Sequence, residues 1–174
     1  MRQTGEMLVM MGGLPGAGKS HLAQALARRV HAVIVSVDPI EDAMVRSGLP
    51  MSFQTGLAAY EVGATFAAAQ LNNGLTVIAD AANYLEVGRD VWRRAADRAQ
   101  VPVKVIDVIC SDTVLHRRRL EARRRGLSEY PEPSWDDVMK RAAETEPWPG
   151  ERLVIDSTRP LVDGVDAALA FIGA

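Results

Sequence analysis

The stretch Met10-Met-Gly-Gly13-Leu-Pro15-Gly16-Ala17-Gly18-Lys19-Ser20 decides how this chain is read. From Gly13 to Ser20 it satisfies G-x-x-x-x-G-K-[ST]. Apolar residues from Met7 to Met11 precede it, and Leu22, Leu26 and Val30 follow at helical spacing. A strand therefore runs into a glycine-rich loop that opens a helix. The glycines let successive backbone N–H groups turn inward around a phosphate, and the helix N-terminus adds its positive end. Lys19 is placed to reach β- and γ-phosphates, and the Ser20 hydroxyl to ligate Mg²⁺. A glycine-rich turn before an ordinary helix is the plainer reading, but it does not require the Lys-Ser pair at this spacing. The candidate nucleotide-binding residues are Gly13, Pro15, Gly16, Ala17, Gly18, Lys19, Ser20 and His21, with ATP and Mg²⁺ as ligands.

Outward from the loop, short apolar runs alternate with segments of helical period, the mark of an α/β protein with a parallel sheet. The pattern predicts strands at about 7–12, 33–37, 75–79, 103–109 and 152–156. It predicts helices at about 19–30, 39–47, 57–72, 86–99, 112–125, 134–144 and 162–172. Asn73-Gly74 is placed to end the third helix, and Asp112 to cap the fifth. Leu57, Ala64, Ala68 and Leu71 form one expected core stripe, and Val87, Val91, Ala95 and Ala99 another. The segment Glu129 to Pro133 reads as a loop within the fold, so the chain is expected to be one domain.

The bulk numbers narrow the function classes. The 174 residues are 48% hydrophobic and carry a formal net charge of −2, which gives no global attraction for nucleic acid or anionic membrane. No apolar run approaches the roughly 20 residues that span a bilayer. With a single cysteine, Cys110, and no secretory pattern at the N-terminus, the expected compartment is the cytoplasm.

Ligands of open α/β sheets collect at the carboxyl ends of the strands. Asp38 follows Val33-Ile-Val-Ser-Val37, and Asp80 follows Leu75-Thr-Val-Ile-Ala79. A carboxylate there can accept the proton of an attacking hydroxyl or hold a Mg²⁺-bound water. Asp38 is also positioned as a helix N-cap with Pro39 behind it, a role compatible with catalysis. Asp38 is the candidate base, with Asp80 and Ser20 on the metal side, while Glu41 and Asp42 read as solvated helix residues. Between Arg117 and Arg125 six of nine residues are arginine, and Arg119 and Arg123, at i and i+4, share one expected helix face. A run of charge is commonly a solvated face. Here it follows the fourth expected strand, where a cationic lid over phosphates belongs, and Lys19, Arg119 and Arg123 join Asp38 as catalytic candidates. Both arginines are expected to serve turnover more than ATP affinity.

With these residues in place, the chain resembles the small bacterial AAA-domain ATPases grouped with P-loop kinases. Relatives of that group include zeta toxins, chloramphenicol phosphotransferase and the kinase part of polynucleotide kinases. The resemblance covers nearly the whole chain. It rests on residues 13–20, Val37-Asp-Pro-Ile40, Ile78-Ala-Asp-Ala-Ala-Asn83 with Arg89, Arg119-Leu-Glu-Ala-Arg123, Ser128 and Val154-Ile-Asp-Ser157. It implies a five-stranded parallel sheet of order 2-3-1-4-5 sandwiched by helices, with an Arg-rich lid. It also implies ATP as donor, Asp38 as base, Arg119 and Arg123 in the lid, Arg119 and Ser157 as further nucleotide-binding residues, and Ser157-Thr158 beside adenine. Glu41 stands where polynucleotide kinases tend to carry a substrate-binding arginine, which argues against a nucleic-acid end as acceptor, as does the lack of interleaved aromatics. The reading is a kinase for a small-molecule hydroxyl, with the acceptor between Asp38, the 48–66 segment and Asn83, and with Gln54, Tyr60 and Glu61 as polar contacts. Two alternatives are an ATP-binding or hydrolysing module without an acceptor, and a polynucleotide 5′-hydroxyl kinase. The sequence leaves the oligomeric state open.

Overall fold

A computed structural model describes residues 5–124, 126–127 and 131–174. Five strands, β1 (Leu8–Gly12), β2 (Val33–Ser36), β3 (Val77–Asp80), β4 (Val103–Ile109) and β5 (Leu153–Asp156), form one sheet in the order β2-β3-β1-β4-β5. Every pairing is parallel. The helices are α1 (Lys19–Val30), α2 (Val37–Arg46), α3 (Phe53–Asn72), α4 (Glu86–Ala99), α5 (Thr113–Ala122), α6 (Trp135–Glu144) and α7 (Leu161–Ile172). Among the described residues no helix is long and apolar enough to cross a membrane. Ser128, Glu129, Tyr130 and Arg125, which the sequence reading placed in the lid or its loop, lie outside the described residues.

The two cores follow from the alternation of side chains along the strands. Leu8 and Met10 of β1 face α3 and α4, where they meet Ala59, Ala67, Ala95 and the fully buried Trp92. Val9 and Met11 face the opposite way, into Leu22 and Leu26 of α1 and Val165 and Ala168 of α7. With both faces covered, β1 and β3 are buried along their whole length, which is why they read as unbroken apolar runs. Each fully buried Leu, Val or Ile contributes about 1.5–3 kcal/mol.

Helix ends depart from expectation at three places, each for a local reason. Asp38 does not cap α2: the helix begins at Val37 with Ser36 as its N-cap, so Asp38 lies inside the first turn. Its carboxylate still favours the positive end of the helix. Helix α3 starts four residues early because Ser52 accepts a hydrogen bond from Thr55 N at 3.1 Å. Helix α5 stops at Ala122, with Arg123 already extended (φ −64°, ψ 137°), so Arg119 and Arg123 do not share a helical face. Asp112 caps α5 through Leu115 N at 2.9 Å, and Asn73 caps α3 as expected.

The expected stripes need partial correction. On α4 the core face is Gly88, Arg89, Val91, Trp92, Ala95 and Ala96, while Val87 is exposed. Glu41 and Asp42 are buried, not solvated. Helix α2 packs beside α3, and Glu41 Oε1 lies 3.3 Å from the position a Cβ on Gly56 would take, while Asp42 pairs with Arg46 at 3.2 Å.

Candidate functional site

The loop after β1 is built from the inside. Gly13 takes φ +129°, and a Cβ there would lie 2.2 Å from the Val108 carbonyl oxygen, so only glycine lets the chain leave β1 this close to β4. Gly13 N donates to Ala82 O at 3.3 Å, and Ala17 N to Leu14 O at 3.1 Å. Gly18 is the N-cap of α1, and no side chain caps that helix, so its first N–H groups face the loop. Lys19 folds back to donate from Nζ to Leu14 O at 3.1 Å and is buried. Burial pushes its pKa down, against the fields of Asp80 and Asp38, while Arg123 and Arg141 push it further down.

From behind, α5 braces the loop. The imidazole Nε2 of buried His116 meets Pro15 O at 2.8 Å, and its ring stands edge-on to Trp135 of α6 at 5.2 Å between centroids. Gly13 and Ala17 line a groove on this rear side of the loop, together with His116. Nothing in the sequence reading singled out His116.

In front of the loop is a cleft of about 820 Å³ lined by Pro15, Lys19, Ser20, His21, Asp38 and Asp80. Asp38 and Asp80 come from neighbouring strand ends, since Ser36 and Asp80 are register partners, and Ser36 Oγ donates to Asp80 Oδ2 at 3.2 Å. Arg123 also reaches this cleft, 3.6 Å from Asp38 Oδ2 and 3.9 Å from Glu132. A second cavity of about 610 Å³ opens on the other side of the loop, lined by Gly16, Gly18, Arg119, Ser157, Pro160 and Leu161 among others. Arg119 donates there to Ser157 Oγ at 2.9 Å and to Ser157 O at 3.1 Å. Ser157 Cβ lies 3.2 Å from where a Cβ on Gly18 would stand. The turn that carries Ser157 is fixed by Asp156, whose Oδ1 accepts from Ser111 N at 3.2 Å and Thr158 N at 3.1 Å. The Ser111 hydroxyl, with the Thr158 N–H, brings the Asp156 pKa from the usual 3.8 to about 2. Lys19, Ser20, His21, Arg123 and Arg124 line both cavities, so the loop's end separates them.

A third, smaller pocket of about 200 Å³ adjoins the front cleft, walled by Asp38, Glu41, Leu57, Tyr60, Tyr84 and Arg141 among others. It lies where the sequence reading sought an acceptor, with a different wall. Asn83 does not face it. Its Nδ2 donates to Met11 O at 2.6 Å, its Oδ1 accepts from Trp92 Nε1 at 3.1 Å, and its N donates to Tyr60 Oη at 3.3 Å. Asn83 thus ties β1 to α3 and α4. Gln54 is exposed, and Glu61 is exposed and paired with Arg94 at 2.7 Å, so neither lines the pocket. Burial pushes the Tyr60 phenol pKa up, against its hydrogen bond with Asn83.

The sequence reading did not identify Tyr84 and Arg141. A capping box, Ser134 with Asp137, starts α6, and Asp137, Lys140, Arg141 and Glu144 then follow at helical spacing into the cleft. That polar stripe was the available signal.

Solved structures share this architecture. The APS kinase CysC of Mycobacterium tuberculosis, in complex with AMPPNP and APS, is 16% identical, with 98% of this chain and 99% of that chain covered and a TM-score of 0.72. A gluconokinase from Sinorhizobium meliloti is 19% identical, with 99% and 94% covered and a TM-score of 0.66. Kti12 of Chaetomium thermophilum, in complex with ADP-AlF3, is 20% identical, with 96% and 100% covered and a TM-score of 0.69. At these identities the likeness is one of fold, that of the P-loop kinases. No curated protein matches the chain. The family model described as AAA domain matches residues 8–145, most of the chain, which therefore belongs to the AAA domain family of P-loop proteins.

Proposed function

We propose that this protein is an ATP-dependent phosphotransferase that moves the γ-phosphate of Mg·ATP onto a hydroxyl of a small molecule. One observation carries the reading: Asp38 lines both the cleft in front of Lys19 and Ser20 and the small pocket beside it. A base for this reaction must stand between donor and acceptor, and Asp38 has that position. The second cavity, with Arg119 and Ser157 at its wall, suits the nucleoside end of ATP.

The residues present fit a magnesium ion. Ser20 and Asp80 offer hard oxygen donors in one cleft. Among the described residues no group of three or more His, Cys, Asp or Glu could hold a metal alone. That matches an ion bound through one or two protein oxygens, water and phosphates. Held there by Ser20 and Asp80, the ion would supply positive charge against the charge of the transferring phosphoryl group.

In this reading the loop N–H groups and Lys19 hold the phosphates. Asp38 orients the acceptor hydroxyl and takes its proton as oxygen attacks the γ-phosphorus. The bond from that phosphorus to the β–γ bridging oxygen breaks, and ADP leaves. Leu57, Tyr60 and Tyr84 shape the acceptor pocket and exclude water. Its volume suits a small acceptor, not a nucleic-acid end. The test is acceptor-dependent ADP release across a panel of sugars, nucleosides, aminoglycosides and amino alcohols. Stimulation by one class supports the reading. ATP hydrolysis that no acceptor stimulates would favour an ATP-binding module without phosphoryl transfer.

A further inference from the structure

The front cleft and the small pocket share four lining residues: Asp38, Ala82, Tyr84 and Arg141. A group passing from loop to pocket must cross this junction. Asp38 brings a carboxylate, Ala82 a methyl group and Tyr84 a ring, which leaves Arg141 as the cation of the junction.

Other cations of the cleft have different commitments. Lys19 turns back to Leu14 O, Arg123 faces Asp38 and Glu132, Arg124 donates to the Glu121 and Arg123 carbonyls at 3.0 and 2.6 Å, and Lys140 lies 3.9 Å from Glu144. Arg119 is turned to Ser157 in the second cavity. The Arg141 guanidinium instead lies over the Tyr84 ring, 5.1 Å from its centroid; the Asp137 carboxylate, one turn earlier on α6, feels its field, but among the described residues no ion pair joins a carboxylate to it. An aromatic face holds a guanidinium while leaving its in-plane N–H donors to other acceptors.

Its main chain is tied in place. Thr145 Oγ1 donates to Arg141 O at 2.8 Å, and Glu146 N donates to Tyr84 O at 2.9 Å, so the end of α6 and the Tyr84 turn are stitched together. Arg89, fully buried, clamps the same place, donating to Glu146 O at 2.7 Å, Pro147 O at 2.8 Å and Asn83 O at 2.7 Å. A cation that stabilises charge only as it develops must be held in advance of the reaction.

We propose that Arg141 is a catalytic residue of phosphoryl transfer, its guanidinium contacting the equatorial oxygens of the γ-phosphoryl group between the loop and the hydroxyl at Asp38. The proposal rests on the phosphotransferase reading above. The bonds made and broken are those already given, and Arg141 neither gains nor loses a proton. Its charge matches the charge on the three phosphoryl oxygens in flight, while bound ADP presents no group at that point.

The probe is ADP with magnesium, titrated calorimetrically into the full chain with and without aluminium fluoride, a mimic of the phosphoryl group in transfer. Arg141→Ala, Arg141→Lys and Arg119→Ala are compared after their melting temperatures are measured. Arg141→Ala is expected to keep ADP affinity within about twofold and to lose at least about tenfold in the gain that aluminium fluoride confers. Arg141→Lys, which keeps the charge without the planar fork, falls between, and it carries the test if the alanine variant does not fold. Arg119→Ala shows the reverse, weaker ADP with the fluoride gain intact. An unchanged fluoride gain in the Arg141 variants, or a wild type that binds ADP but gains nothing from fluoride, overturns the proposal. A wild type that binds neither ADP nor ATP removes the phosphotransferase reading itself.

Discussion

Arg123 and Asp38 meet at 3.6 Å across the mouth of the phosphate-binding loop, one from the residue that ends α5 and the other from the first turn of α2. The contact sets a guanidinium beside the proposed base. Arg119, one helical turn earlier, is held on Ser157 in the neighbouring cavity.

That separation predicts different phenotypes for two arginines that the sequence groups together. Arg123→Ala is expected to lower acceptor-dependent turnover about a hundredfold with little change in ATP affinity. Arg119→Ala is expected to weaken ATP about tenfold, the loss of charge-assisted hydrogen bonds. Steady-state kinetics and ATP titration of each variant check this. Identical profiles would contradict the assignment of the two cavities.

Lys19→Ala and Ser20→Ala should each abolish productive Mg·ATP binding and leave the fold intact. Among the described residues Lys19 bonds to a loop carbonyl alone, and Ser20 faces the cavities, so neither side chain is part of the apolar core. Calorimetry is the check, and wild-type Mg·ATP affinity in both variants would end the nucleotide reading.

Arg89→Ala should destabilise the protein by about 3–5 kcal/mol, because a fully buried side chain is lost and the carbonyls of Asn83, which is buried, and of Glu146 and Pro147, at the edge of the clamp, lose their donor together. The Arg89 guanidinium also lies 3.8 Å from the Trp148 ring centroid, and that stacking is lost too. Denaturant unfolding measures the change, and a loss below about 1 kcal/mol would show that the clamp is redundant.

The fold was legible because its signals are local. The loop at 13–20, the apolar runs of β1 and β3 and the caps at Asp112 and Asn73 each act within a few residues. The site was legible to the extent that strand ends place it, and both Asp38 and Asp80 open onto the cleft with Ser20. What the sequence hid depends on packing between distant segments. Arg89 enters the sequence reading through the resemblance alone, with no role attached, yet it is fully buried because Tyr84, Glu146 and Pro147 converge on it. Glu41 reads as solvated, yet α3 covers it at Gly56. Arg123 was assigned by helical spacing to a helix that ends one residue before it.

Asp156 gives a pH signature. Its folded pKa is about 2 against the usual 3.8, so its ionised form stabilises the Ser157 turn fully above about pH 4. That contribution is lost as pH falls through about 2. Thermal melts of wild type and Asp156→Asn should show a wild-type advantage above pH 4 that disappears near pH 2. A gap independent of pH would assign the effect to shape instead of charge.

The central claim is that Asp38 receives the proton of an acceptor hydroxyl. Asparagine at 38 keeps the size and an acceptor oxygen but not the basicity. Acceptor-dependent ADP release, with the acceptor class that stimulates the wild type, is therefore measured for Asp38→Asn after its melting temperature and ATP affinity are found unchanged. The account predicts a fall of about 10²–10⁴-fold in transfer. Transfer at the wild-type rate in a folded, ATP-binding Asp38→Asn would contradict it.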